Sequence, residues 1–300
     1  MTRGTSDKMH APELHIARKH WTVPDSFRYC EQKANRHYEN FPVASLLLPK
    51  DKRPYVHAMY SFARTADDFA DEPGWTPAER IENLNAWEQN LLDCVDGHAT
   101  HPVFIALAET IERFQIPVEL FQSLLIAFRS DVTVRRYETF EDVLAYCENS
   151  ANPVGRLVLL LFNYRSEALH AYSDSICTAL QLTNFWQDIA VDLSKDRVYL
   201  PKEDLGRFGY SEQDLFDRRF GKRFQDLLAF EVGRTEQLFK EGTPLLAAVN
   251  RDLSMELRLT WHGGMKILDK IRKQNFDVFR RRPTLSAFDK LGVLLHARQR

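Results

Sequence analysis

Two pairs of aspartates set the chemistry this chain could perform. Asp67 and Asp71 stand four residues apart, with Asp68 beside the first, and Asp188 and Asp192 repeat the spacing. On a helix that spacing returns both side chains to one face. Like charges there repel by roughly a few tenths of a kcal/mol, and aspartate is a mediocre interior helix former. On an otherwise apolar helix, unpaired carboxylates cost far more. A cation would offset that cost. Mg²⁺ suits the donors, since it prefers oxygen and is commonly held by one or two carboxylates plus substrate phosphates and water. Two or three such ions around a diphosphate are therefore expected. The plainer reading of a lone Asp-x-x-x-Asp is a solvated face. The neighbouring residues argue against it here: Tyr60, Arg64, Asp67 and Asp71 share one stripe, and Gln181, Asn184, Asp188 and Asp192 share another. A solvated face would more often carry Lys and Glu four apart. Arg64 is a candidate for gripping diphosphate or pairing with the aspartates. Arg197 and Lys195 follow the second pair, and the forked guanidinium of Arg197 is the better phosphate ligand of the two.

The elements that must position these groups are helices. Pro54, Pro77, Pro102, Pro117, Pro153, Pro244 and Pro283 sit where helices are expected to begin, since proline suits a first turn and disrupts an interior. Between them, apolar residues recur at three and four over 79–95, 102–114, 117–130, 140–150, 153–163, 166–193, 211–241 and 249–275. β-Branched alternation is scarce and no Asn-Gly or Asp-Gly hairpin signal occurs. The pattern predicts an all-α chain, with a poorly ordered stretch over 1–20, one domain over 21–300, and connecting loops at Pro49–Pro54 and Lys195–Pro201. The segments 54–72 and 176–193 are apolar yet carry the aspartates near their ends.

Composition narrows the function. Hydrophobic residues make up 44% of the chain and the formal net charge is -2, so a large core is expected and a general nucleic-acid binder is not. From Asp269 to the end there are nine Lys/Arg against three Asp. That tail suits anionic lipid or phosphate, or is simply a solvated helical face. Cys30, Cys94, Cys147 and Cys177 are widely spaced without a CxxC pair, which suggests neither a disulfide framework nor zinc. The polar N-terminus shows no apolar signal core, and no run approaches the ~18 apolar residues of a spanning helix. The expected location is the cytoplasm, with peripheral contact at the inner membrane face an open possibility. A di-iron bundle needs two Glu-x-x-His motifs, and only Glu167 to His170 supplies one. His170 is expected at the surface or in a cap.

SFARTADDFADE (61–72) and QLTNFWQDIAVDLSKDRVYLP (181–201) resemble the two signature regions of the squalene/phytoene synthase family. YCENSANPVG (146–155) is similar to the segment between them, and DVFRRRP (277–283) to the C-terminal end. The likeness runs in order from about His37 to Pro283. It implies a single-domain isoprenoid synthase fold, a helical bundle around a central prenyl channel. Position by position, it makes Asp67, Asp71, Asp188 and Asp192 the metal ligands. Gln181 and Asn184 would line the same site, and Tyr60, Arg64 and Tyr146 would be pocket residues. Gly155 would stand in a helix break beside the channel, where either open space for substrate or close helix packing would account for a glycine.

One stretch departs from the condensing members of the family, which usually carry a Ser-Phe-Tyr-like segment before the first signature helix. Here HYENFPVASLLLP (37–49) takes its place. ENFPVAS, with FARTADD and SANPVGRLVL, resembles the hopanoid-pathway hydroxysqualene synthase branch. That likeness implies ionisation of presqualene diphosphate, rearrangement of a cyclopropylcarbinyl cation in an apolar channel and capture by one water, with no NADPH. No GxGxxG motif is present. Tyr60, Tyr146 and Asn40 are candidates for positioning that water. Condensation of two prenyl diphosphates is the alternative, and a non-catalytic assembly factor a second one, although such relatives tend to lose the aspartates kept here. Pathway enzymes and a membrane surface are possible partners.

Overall fold

The computed structural model describes residues 12–16, 20–36, 48–71 and 73–298, and every regular element among them is a helix. The starts follow local chemistry. Thr76, Thr139 and Ser211 each accept from the backbone N–H three residues on, while Glu79, Asp142 and Asp214 reach back to the cap. These reciprocal caps satisfy N–H groups that a helix start would otherwise leave bare. Pro77, Pro102 and Pro153 occupy first turns, as expected. The chain groups into two compact units, Met1–Phe41 with Lys50–Thr133 and Pro42–Pro49 with Val134–Arg300.

The first unit contains α1 (Val23–Arg36), α2 (Arg53–Asp71), α3 (Pro77–Val95), α4 (Pro102–Phe114) and α5 (Glu119–Thr133). α2 is its centre and packs on the other four. Ala58, Phe62, Ala66 and Phe69 recur at helical spacing and are fully buried. They meet Trp87, Phe104 and Phe121, and the Trp87 indole N–H donates to the Phe62 carbonyl at 3.2 Å. Most of the stretch expected to lack order falls outside the described residues. Pro12–His15 nonetheless forms a 3₁₀ turn, where Glu13 pairs with Lys33 at 3.0 Å and accepts from the Tyr29 hydroxyl.

The second unit contains α6 (Phe140–Ser150), α7 (Asn152–Leu161), α8 (Glu167–Ser194), α9 (Lys202–Arg207), α10 (Glu212–Phe216), α11 (Lys222–Gly242), α12 (Leu245–Ala248), α13 (Arg251–Lys273) and α14 (Ala287–Arg298). α8 is its spine, about 42 Å long at 1.5 Å per residue, and it touches α6, α7, α11, α12 and α13. Leu182, Trp186, Ile189 and Leu193 form its inward stripe, and the Trp186 indole donates to Thr235 Oγ1 at 2.8 Å.

Two expectations need correcting. The segment 211–241 is not one helix. Arg218 adopts φ 52°, Arg219 N–H returns to the Asp214 carbonyl, and the Tyr210 hydroxyl closes the turn onto the carbonyls of Asp214 and Arg219. Apolar periodicity alone passes over such a left-handed stop. Pro283 does not begin a helix either; it lies in an irregular stretch before α14, and its carbonyl accepts from the Gln187 amide. The Lys195–Pro201 loop is present, while at Pro49–Pro54 the helix already begins at Arg53.

A buried acid in the second unit makes a testable demand. Glu231 on α11 is fully buried and pairs with Arg234, which also reaches Asp204 at 2.8 Å. Glu231 Oε1 meets no donor among the described residues. Burial raises its pKa to about 8, against the opposing pull of Arg234, with the Asp204 carboxylate adding to the rise. A raised folded-state pKa makes the native state bind more protons, so stability is fully present below pH ~4.5 and is lost as pH climbs through about 8. The expected slope is at most ~1.4 kcal/mol per pH unit for one proton. In thermal melts from pH 5 to 8.5, Glu231→Gln should lose less stability than the native chain. Parallel curves would show that Glu231 is already ionised near neutrality.

Candidate active site

The roll of α2 is fixed by its buried stripe, so the opposite register carries its polar groups. Tyr60 and Arg64 are half-buried, Asp67 and Asp68 half-buried, and Asp71 exposed at the helix end. Arg64 bridges two carboxylates, with Nη1 3.0 Å from Asp67 and Nη2 2.6 Å from Asp68. Its Nε is buried and meets no acceptor among the described residues. Of the two roles expected for Arg64, pairing with the aspartates is the one present here. Burial raises the Tyr60 hydroxyl pKa, opposed by the Arg64 charge and reinforced by the nearby aspartates. The phenol is therefore neutral at physiological pH.

The second motif lies on the last three turns of α8. Asn184 donates to Asp188 Oδ2 at 2.8 Å. Asp188 is also held by a guanidinium, Arg282, through Nε to Oδ1 and through Nη2 to Oδ2 at 2.9 Å. This bidentate grip comes from the irregular stretch that Gln187 ties down by its bond to the Pro283 carbonyl. Burial, with Asp188 as the like-charged neighbour, raises the Asp192 pKa to about 7, despite Arg197, Lys195 and Arg282 pulling it down.

After α8, Asp196 turns the chain in the left-handed region. Arg136 locks that turn, 2.6 Å from Asp196 and 2.7 Å from Glu212. The loop then bonds to the segment before α6, through Val198 N–H to Arg135 and Lys202 N–H to Tyr137. Arg197 is left half-buried and Lys195 exposed. The loop also lays Tyr199 flat on Phe185, ring centres 3.7 Å apart, and Tyr146 packs about 6 Å from Tyr137, Phe185 and Tyr199. Gln181 is half-buried on the same helix. Asn40 lies outside the described residues. His170 is buried rather than at the surface, with its Nε2 3.0 Å from the Tyr164 carbonyl oxygen.

Among the described residues no three acidic, histidine or cysteine side chains converge as a complete metal cage. Paired carboxylates without a third protein ligand suit an ion that takes its other ligands from phosphate and water, as Mg²⁺ does.

Residues 34–289 match the family model of squalene/phytoene synthases. The chain belongs to the squalene/phytoene synthase family. It is 28% identical to a phytoene synthase of Arthrospira platensis over 286 residues, 91% of this chain and 92% of that one. It is 34% identical to a hydroxysqualene synthase of Sinorhizobium fredii over 260 residues, 86% of each. A solved structure, squalene synthase HpnC from Alicyclobacillus acidocaldarius, is 39% identical with a TM-score of 0.81, covering 85% of this chain and 95% of that one. The all-α isoprenoid synthase fold expected from the signature regions is thus the fold of this family member. No described helix is long and apolar enough to cross a membrane.

Within this member of the family, the sequence gives no sign of Arg282's role beside Asp188. The run of three arginines in DVFRRRP marks the likeness, but nothing in its spacing says which arginine reaches Asp188. If Arg282 and its neighbours handle diphosphate, Arg282→Gln should weaken binding of inorganic diphosphate with Mg²⁺ at least tenfold by calorimetry, about 1.4 kcal/mol. Unchanged affinity would reduce Arg282 to a structural clasp.

Gly155 on α7 can also be examined. A methyl group there would stand 2.3 Å from Ser173 Oγ and 2.6 Å from Cys177 Sγ on α8. Close helix packing therefore accounts for the glycine by itself. Gly155→Ala should cost ~1–3 kcal/mol of stability from overpacking, and Ser173→Ala with Cys177→Ala should restore much of it. An unchanged melting temperature with lost activity would favour the channel instead.

Proposed function

We propose that this family member is a Mg²⁺-dependent hydroxysqualene synthase, converting presqualene diphosphate and water to hydroxysqualene and diphosphate. The observation that carries the reading is the graded likeness. Identity is 34% to the Sinorhizobium fredii hydroxysqualene synthase, against 28% to the Arthrospira platensis phytoene synthase and 30% to a phytoene synthase of Synechocystis. The ENFPVAS stretch at 39–45 supports it from sequence, although it lies outside the described residues.

The reaction starts by heterolysis of the carbon–oxygen bond to the diphosphate. Arg64, Arg197 and Arg282 would supply donors where negative charge builds on the leaving group. Mg²⁺ held by Asp67, Asp71, Asp188 and Asp192 would act there as a Lewis acid. Gln181 and Asn184 orient the polar end. The cyclopropylcarbinyl cation left behind is shielded by aromatic faces, for which Tyr146, Phe185 and Tyr199 are suited. Rearrangement followed by addition of one water and loss of its proton gives the alcohol. No hydride is consumed, so NADPH has no part.

The alternative is head-to-head condensation of two prenyl diphosphates, favoured by the phytoene synthase likeness over 91% of the chain. Product analysis decides between them. With presqualene diphosphate and Mg²⁺, hydroxysqualene should form at the same rate with or without NADPH. With farnesyl diphosphate alone, no presqualene diphosphate should appear; if it does, the condensing reading replaces this one. Asp67→Asn and Asp188→Asn should each lower kcat by about 10²-fold or more, the scale of losing one preorganised electrostatic contact. Full activity in both would revive a role without metal at the aspartates.

A further inference from the structure

Asp188 is nearly saturated by its own neighbours. Arg282 holds both of its oxygens, Nε on Oδ1 and Nη2 on Oδ2 at 2.9 Å, and the Asn184 amide adds a third donor at 2.8 Å. A carboxylate offers about four lone-pair positions, so these contacts leave room for roughly one more ligand. A cation arriving there also meets the guanidinium charge close by. Water screens that repulsion weakly at this depth, because the Asp188 side chain is only 16% exposed. The charge of Arg282 acts on Asp192 as well. Arg282 is thus a competitor for the face that this aspartate pair would present to a metal ion.

The chain around Arg282 lets that competitor step aside. The carbonyls on both sides of it are tied: Gln274 donates to Arg281 at 3.1 Å, and Gln187 donates to Pro283. Val278 and Pro283 are buried and anchor the same stretch. The Arg282 side chain, in contrast, is 46% exposed. A held backbone with a solvated side chain allows the guanidinium to change partners by rotating its own bonds, while α8 stays where it is. An ion pair this open to water gives up little when it breaks. The partner it would change to is defined by the same chemistry, since a guanidinium fork grips phosphate oxygens as well as it grips a carboxylate.

We propose that Arg282 is an exchangeable counter-ion of Asp188, held in place by Gln187, that opposes binding of a divalent cation alone and passes to the diphosphate when cation and diphosphate bind together. The proposal rests on the diphosphate chemistry assigned above, whichever prenyl chain the substrate carries. Exchange of this kind couples the two ligands, and the coupling acts equally on both. The test is equilibrium dialysis of the full chain against Mn²⁺, an oxygen-seeking stand-in for Mg²⁺, with and without inorganic diphosphate. The native chain should hold Mn²⁺ at least tenfold more tightly when diphosphate is present. Arg282→Gln should bind Mn²⁺ alone at least fivefold more tightly than the native chain, yet gain less from diphosphate. Damage to the fold would weaken both. Gln187→Ala keeps every charge and frees the Pro283 carbonyl, so it should raise affinity for Mn²⁺ alone by a smaller factor, and it carries the test if Arg282→Gln does not fold. Arg280→Gln removes the same charge two residues away and should change Mn²⁺ affinity less than twofold. No gain for Mn²⁺ alone in Arg282→Gln, or an equal gain in Arg280→Gln, overturns the proposal and leaves the diphosphate site standing. A native chain that retains no Mn²⁺ even with diphosphate overturns the diphosphate reading itself, and this proposal with it.

Discussion

Half-buried carboxylate is the constraint around which each unit is arranged. In α2 the buried stripe of Ala58, Phe62, Ala66 and Phe69 leaves no freedom in how the helix is rolled, and Asp67 and Asp68 must then sit at the edge of the core. Arg64, one turn back, supplies the compensating charge to both. In α8 the roll is fixed by Leu182, Trp186, Ile189 and Leu193, and Asp188 takes its cation from Arg282. Compensation is incomplete at Asp192, where burial and Asp188 outweigh three nearby cations.

Irregular backbone does most of the positioning around that face. α8 carries its carboxylates rigidly, but the cations that meet them come from loops. The Arg136 clasp on Asp196 and Glu212 sets the turn that leads to Arg197 and Tyr199. The Gln187 bond to Pro283 places Arg282 next to Asp188. Each device uses one long side chain to fix a backbone carbonyl or an acid some distance away in sequence. A helix delivers the acids in register, and a tethered loop delivers the base, so each can vary without moving the other.

This division explains what could be read from the chain alone. Helical faces repeat, so the aspartate pairs, their polar neighbours and the proline-marked starts were legible from spacing. Tethers do not repeat. Arg282 is separated from Asp188 by 94 residues, and no local pattern distinguishes it from Arg280 or Arg281. The break at Arg218 was hidden for a related reason, since a left-handed residue in the run 217–221 leaves the apolar period on either side intact. Buried polar groups such as Glu231 and His170 were illegible because their environment is assembled by α9 and α11, or by the turn before α8, and not by their own sequence neighbours. At Gly155 the sequence offered two explanations, and the distances to Ser173 and Cys177 give the physical weight to packing.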